Sequence, residues 1–174
     1  MSTSAEYCKL SFMSLYSSEV LTAIAQSYCD RLGLSLEESL GRGLQGLVFI
    51  TSNQTAVKVH SNRQGYTREL QVYSRLLQHS VTEVNGISIP TLKAFDDKLK
   101  IIEMSVVKPP FILDFGGAYL DSPPPHDPET LKRSMIERKE KFGDQFEMVN
   151  HILAELERRY GIYLSDVHPG NIRF

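Results

Sequence analysis

The chain has 174 residues, a formal net charge of −2, and 41% apolar against 23% charged residues, which suits a globular domain large enough to bury a core. That balance supplies no basic field for nucleic acid or an anionic lipid surface, and no apolar run approaches the ~20 residues of a membrane-spanning helix. Two cysteines without metal-type spacing, Cys8 and Cys29, and a start that runs from Met1 into Ser, Thr and Glu, lead us to expect a cytoplasmic protein with free thiols. The Asn-Gln-Thr at Asn53 then matches a glycosylation sequon by chance.

Ser17-Ser18-Glu19 predicts a helix start, and the helix should run to about residue 31 with Gly33 as its stop. Val20, Ile24, Tyr28 and Leu32 recur every four residues and form its expected apolar stripe. From about 34 to 60 the text changes to strands. GLVFIT and AVKVH are rich in β-branched and aromatic residues, and SNQT between them reads as a hairpin turn. TRELQVYSRLLQ returns to helical period, with Leu70, Tyr73 and Leu77 on one side. GISIPTL, KAFDD and LKIIEMSVV then give short strands, with Pro90 at an edge or bend.

KPPFILDFGGAYLDSPPPHDP carries six of the eight prolines, so a mostly irregular connector is expected there between a sheet half and a helical half. Asp127-Pro128-Glu129 is an N-cap with proline at the first helical position. The charged run 132–141, in which Glu137 and Glu140 interrupt the basic residues, reads as a solvated helix face. A capping box is expected at Asp144-Gln145-Phe146-Glu147. The helix after it should bury Phe142, Phe146, Val149, Leu153, Leu156 and Tyr160.

GRGLQGLV fits G-x-G-x-x-G-x-V through Gly41, Gly43, Gly46 and Val48. Glycines at this spacing let backbone N–H groups approach phosphate oxygens with no Cβ between them. A dinucleotide fold needs a helix after such glycines, whereas a strand and a hairpin follow here. Lys58, on the next strand, can reach a nucleotide's phosphates or be an ordinary surface lysine. Glu69 can pair with it or be a solvated helix residue beside Arg68. Near the C-terminus LSDVHPGNI places Asp166 and Asn171 five apart around His-Pro-Gly, so one tight loop points two polar groups at one place.

Taken in order, the glycine pattern, A-x-K, a helical Glu, an apolar strand reading IIEM and then D-x-x-x-x-N resemble the protein-kinase-like superfamily. The resemblance covers about 36–174 and is strongest to the aminoglycoside and choline phosphotransferase branch. It implies an α+β fold with an N-terminal antiparallel sheet lobe and a truncated C-terminal helical lobe. The expected divisions are a helical extension at 1–35, the sheet lobe at 36–107 and the Pro-rich and helical part at 108–174.

The resemblance also implies roles. Gly41, Gly43 and Gly46 would cover the phosphates of ATP, Lys58 would bind the α- and β-phosphates, and Glu69 would orient Lys58. Val48 and Ala56 would touch the adenine, and the Glu103-Met104-Ser105 backbone would hydrogen-bond it. Asp166 would orient or deprotonate an acceptor hydroxyl, Asn171 would hold Mg²⁺, and His168 would brace the loop. Leu164 stands where the family usually has His. The family's further metal ligand is an Asp after the loop, in an Asp-Phe-Gly or similar motif, and only Ile172, Arg173 and Phe174 follow Asn171.

Asp114-Phe115-Gly116 spells that motif upstream. The plain reading is coincidence, with Phe111, Ile112, Leu113 and Phe115 packing between halves and the segment lying apart from the metal. The sharper reading has Asp114 supply the missing carboxylate. Function stays open between a minimal phosphotransferase acting on a hydroxyl acceptor and a catalytically inactive, pseudokinase-type nucleotide-binding or scaffold protein. A fold with no nucleotide site is disfavoured by the intact glycines, Lys58 and Glu69. A shortened helical lobe should expose apolar surface, which the N-terminal helix or a homodimer contact would cover.

Overall fold

The computed structural model describes residues 17–43 and 45–174; Cys8 lies outside them. The fold is mixed α+β and divides into two compact units. The first comprises the described residues up to Tyr66 with Phe95–Glu103, and the second comprises Thr67–Ala94 with Met104–Phe174. Among the described residues no helix is long and apolar enough to cross a membrane.

The first unit opens with α1 (Ser18–Arg31), whose N-cap Ser17 accepts from the Val20 N–H. Gly33, at φ +69°, turns the chain out of it. β1 (Leu36–Gly43), β2 (Gly46–Thr51) and β3 (Thr55–His60) form an antiparallel meander, continued by β7 (Ile101–Ser105) and β6 (Leu92–Asp96) in the order β1-β2-β3-β7-β6. Successive strand residues face opposite sides, and one side carries Leu47, Phe49, Val57, Val59 and Ile101 into a core with Leu21, Ala25, Tyr28 and Cys29 of α1.

The expected α1 stripe is therefore corrected, because Val20 and Leu32 are exposed. A strict four-residue step drifts by about 40° per step around a helix. The set at 21, 25, 28 and 29 mixes long and short steps and stays on one face. The helix is engaged with this sheet.

α2 (Arg63–Gln78) belongs to the second unit from Thr67 onward, where it buries Glu69, Val72, Tyr73 and Leu76, while the expected Leu77 is exposed. β4 (Glu83–Val84), β5 (Ile87–Ser88), β8 (Phe111–Ile112) and β11 (Ile172–Arg173) make a sheet ordered β11-β8-β5-β4. Its β5–β8 pair is parallel and the flanking pairs are antiparallel. β9 (Tyr119–Leu120) pairs separately with β10 (Ile162–Tyr163). The Pro-rich connector is thus irregular except for β8 and β9, each two residues long.

α3 (Pro128–Phe142) starts as its residues dictate, with the Asp127 carboxylate accepting from the Thr130 N–H at 2.9 Å. The expected capping box does not form. Gly143, at φ +52°, leads into a 3₁₀ turn (Gly143–Gln145) that winds straight into α4 (Phe146–Tyr160). Gln145 is already helical there, so Asp144 never takes the extended N-cap geometry. α4 buries Val149, Ile152 and Leu156, with Leu153 half-buried. The second unit does expose apolar side chains, at Leu131, Met135, Ile136 and Met148.

Candidate functional site

In the first unit the glycine pattern forms a hairpin rather than a strand-to-helix turn. Gly43 pairs with Gly46, and the Gln45 carbonyl accepts from both the N–H and the hydroxyl of Ser61, which pins the turn. The glycines differ in what they permit. A Cβ on Gly46 would lie 1.9 Å from the Val59 carbonyl oxygen, whereas one on Gly41 meets nothing within 4 Å and one on Gly43 only the Gln45 nitrogen at 4.0 Å. Gly46 is thus required by strand packing, and exposed Gly41 and Gly43 are the ones that leave backbone open to an approaching group.

Gly41, Val48 and Lys58 form one row across β1, β2 and β3. By strand alternation Val48, Ala56 and Lys58 occupy the face opposite α1, and Ala56 and Lys58 are both buried. The Glu103 side chain turns the other way. Its carboxylate accepts from Tyr28 Oη at 2.9 Å and Thr55 Oγ1 at 2.6 Å. Burial, then that hydrogen bond, pushes the Tyr28 phenol well above its ordinary range.

In the second unit, the Ser105 N–H donates to the Thr91 carbonyl at 2.9 Å and its hydroxyl accepts from the Thr91 N–H, so that backbone donor is not available to a base. Glu69 is buried on α2 one turn before Tyr73. The Tyr73 ring meets Phe115 edge-on at 5.3 Å, and its hydroxyl donates to Met104 Sδ at 3.3 Å. Full burial, then the Glu69 and Asp114 carboxylates, raise the Tyr73 phenol well above its usual value.

The loop carrying Asp166 and Asn171 is strapped at both ends to the segment 111–120. β10 enters it from a pairing with β9, and β11 leaves it into a pairing with β8. Between the straps the Leu113 N–H donates to the Asn171 carbonyl at 2.7 Å, and Ser165 Oγ donates to the Gly117 carbonyl. A Cβ on Gly117 would stand 3.0 Å from Ser165 Oγ and 3.5 Å from the Asp166 Cβ. Asp114 adopts φ +61° and accepts from the Gly116 N–H, while Phe115 is fully buried. The segment is thus paired with the loop, with the Leu113 N–H on the Asn171 carbonyl one residue before Asp114.

Within the loop, Asn171 Nδ2 donates to the Asp166 carbonyl at 3.1 Å, and the Asn171 N–H donates to the His168 carbonyl at 2.9 Å. Asp166 is exposed and Asn171 buried. Ser165 and Gly117 were not anticipated from sequence; their roles depend on strand pairing that no local pattern encodes. Among the described residues no group of three or more His, Cys, Asp or Glu side chains forms a metal cage. Comparison with known family models and with curated proteins finds no match.

Proposed function

We propose that this chain is a protein-kinase-like phosphotransferase that binds ATP with Mg²⁺ and moves the γ-phosphoryl to a hydroxyl acceptor. The observation that carries the reading is the strapping of the Asp166–Asn171 loop by the upstream segment. Ile112 pairs with Ile172 and the Leu113 N–H donates to the Asn171 carbonyl, which supports a reading in which the upstream Asp114-Phe115-Gly116 would supply the carboxylate that the resemblance calls for after the loop.

The residues fit the ion. With its Nδ2 engaged by the Asp166 carbonyl, Asn171 has Oδ1 as its acceptor, and Asp114 would contribute a carboxylate whose Oδ1 also accepts from the Gly116 N–H. Both are hard oxygen donors, and Mg²⁺ takes only one or two such protein ligands alongside water and phosphate. The ion's chemistry there would be neutralisation of charge on the phosphate oxygens.

The remaining steps belong to the chain. In the first unit, Gly41 and Gly43 give the phosphates an unobstructed backbone, Lys58 supplies the cation for the α- and β-phosphates, and Val48 with Ala56 offers apolar contact to the base. In the second unit, Asp166 accepts the acceptor hydroxyl's proton as its oxygen bonds to the γ-phosphorus and the bond to the ADP oxygen breaks.

Calorimetric titration of ATP into the protein, in Mg²⁺ and then in EDTA, tests the reading. Binding should be tighter with Mg²⁺. Asp114→Asn should remove that difference while keeping the metal-free affinity, and Asp166→Asn should bind ATP but form no ADP. No binding in either buffer defeats the proposal. Binding by the wild type without any ADP formed would leave a non-catalytic nucleotide-binding protein.

A further inference from the structure

We infer that His168 is a positioning residue for Asp166, held by its own loop as the tautomer that carries its proton on Nε2. The inference rests on the reading of Asp166 as the group that meets the acceptor hydroxyl. A neutral imidazole has one N–H donor and one bare acceptor nitrogen. The Gly170 N–H donates to His168 Nδ1 at 3.0 Å, so Nδ1 supplies its lone pair and the proton sits on Nε2. Nε2 faces Asp166 Oδ1 at 3.6 Å.

Further features fix the surroundings of the ring and of Asp166. The His168 carbonyl accepts from the N–H groups of Asn171 and Ile172, at 2.9 and 3.1 Å, so the backbone beneath the ring is fixed. A Cβ on Gly170 would lie 2.7 Å from His168 Cε1 and 2.9 Å from Nδ1, so a side chain there would displace the ring from this position. The main chain of Asp166 is itself held by Asn171 Nδ2, which leaves the side-chain torsions as its freedom. An N–H directed at Oδ1 biases those torsions and assigns Oδ2 to the incoming hydroxyl. At 3.6 Å the contact guides the carboxylate rather than bonding it, and a small rotation closes it when an acceptor arrives.

The tautomer is read directly from the imidazole ¹⁵N shifts of His168. A bare Nδ1 and a protonated Nε2 are expected, and Asp166→Asn should move the Nε2 signal. An Nδ1–H tautomer, an even mixture, or an Nε2 signal indifferent to Asp166→Asn overturns the inference. Two substitutions separate positioning from bracing. His168→Asn keeps an acceptor for the Gly170 N–H and loses Nε2, whereas His168→Ala loses both. His168→Asn should match the wild type in Tm and in KM for ATP while ADP formation falls by roughly tenfold; unchanged turnover overturns the inference. A wild type that forms no ADP refutes the phosphotransferase reading instead, and the ¹⁵N measurements still decide the tautomer and its link to Asp166.

Discussion

Glu103 shows how much a single buried carboxylate can organise. Tyr28 on α1 and Thr55 on β3 each donate to one of its oxygens, so the helix is tied to the sheet by polar contacts as well as by its apolar face. Tyr28→Phe removes one donor and leaves a buried acceptor short, at a cost of about 1–3 kcal/mol; urea denaturation should show it, and an unchanged midpoint would mean the network carries no stability. Asp96 works at the surface of the same unit. The Arg31 guanidinium at 2.7 Å, and then the Leu99 N–H, hold its carboxyl below the ordinary value. The folded pKa is depressed, so the stabilisation is fully present above the unfolded value of about 4 and is lost as pH falls through the folded one. Asp96→Asn should therefore melt earlier than the wild type at pH 7, and the gap should close on acidification. A gap that persisted below about pH 2 would assign the effect to the turn geometry instead.

At the scale of elements, the β1–β2 hairpin makes a sharp distinction among glycines that the G-x-G-x-x-G text treats alike. Gly46→Ala drives a Cβ into the Val59 carbonyl and should unpair β2 from β3, with loss of most of the first unit's cooperative unfolding. Gly41→Ala meets open space and should leave the melting temperature within a degree or two while weakening nucleotide binding. Equal effects of the two on stability would contradict the geometry. The elements themselves were largely legible, because α1, the β2–β3 hairpin, α2 and α3 announce themselves through periodicity and caps. Their buried faces were less so: Val20 lies outward, since a run of identical four-residue steps drifts around the helix, and Leu77 lies outward while Val72, Tyr73 and Leu76 take the buried side. The capping box at Asp144 failed for a related reason, as Gly143 let one helix wind into the next. Among the functional residues, the row of Gly41, Val48 and Lys58 follows from the hairpin. The pairing of Leu113 with Asn171 does not, because two-residue strands that pair across some sixty positions leave no local signature.

Across the whole molecule the segment 111–120 and the segment 162–173 depend on each other. Deleting residues 162–174 should strip hydrogen-exchange protection from the amides of Tyr119 and Leu120 and leave the β2–β3 pairing in the first unit untouched; retained protection at Tyr119 and Leu120 would show that β9 is held by something other than β10. β8 keeps its β5 partner in that truncation, while among the described residues β9 pairs with β10 alone, so the two should respond unequally. The same pairing has a meaning in time. As the chain is made from its N-terminus, β9 appears about 40 residues ahead of β10, and pairings so remote in sequence form late. Through that interval the Leu113 N–H has no Asn171 carbonyl to meet and Gly117 has no Ser165 to hold. The nascent chain therefore carries a folded glycine hairpin well before the segments 111–120 and 162–173 can pair.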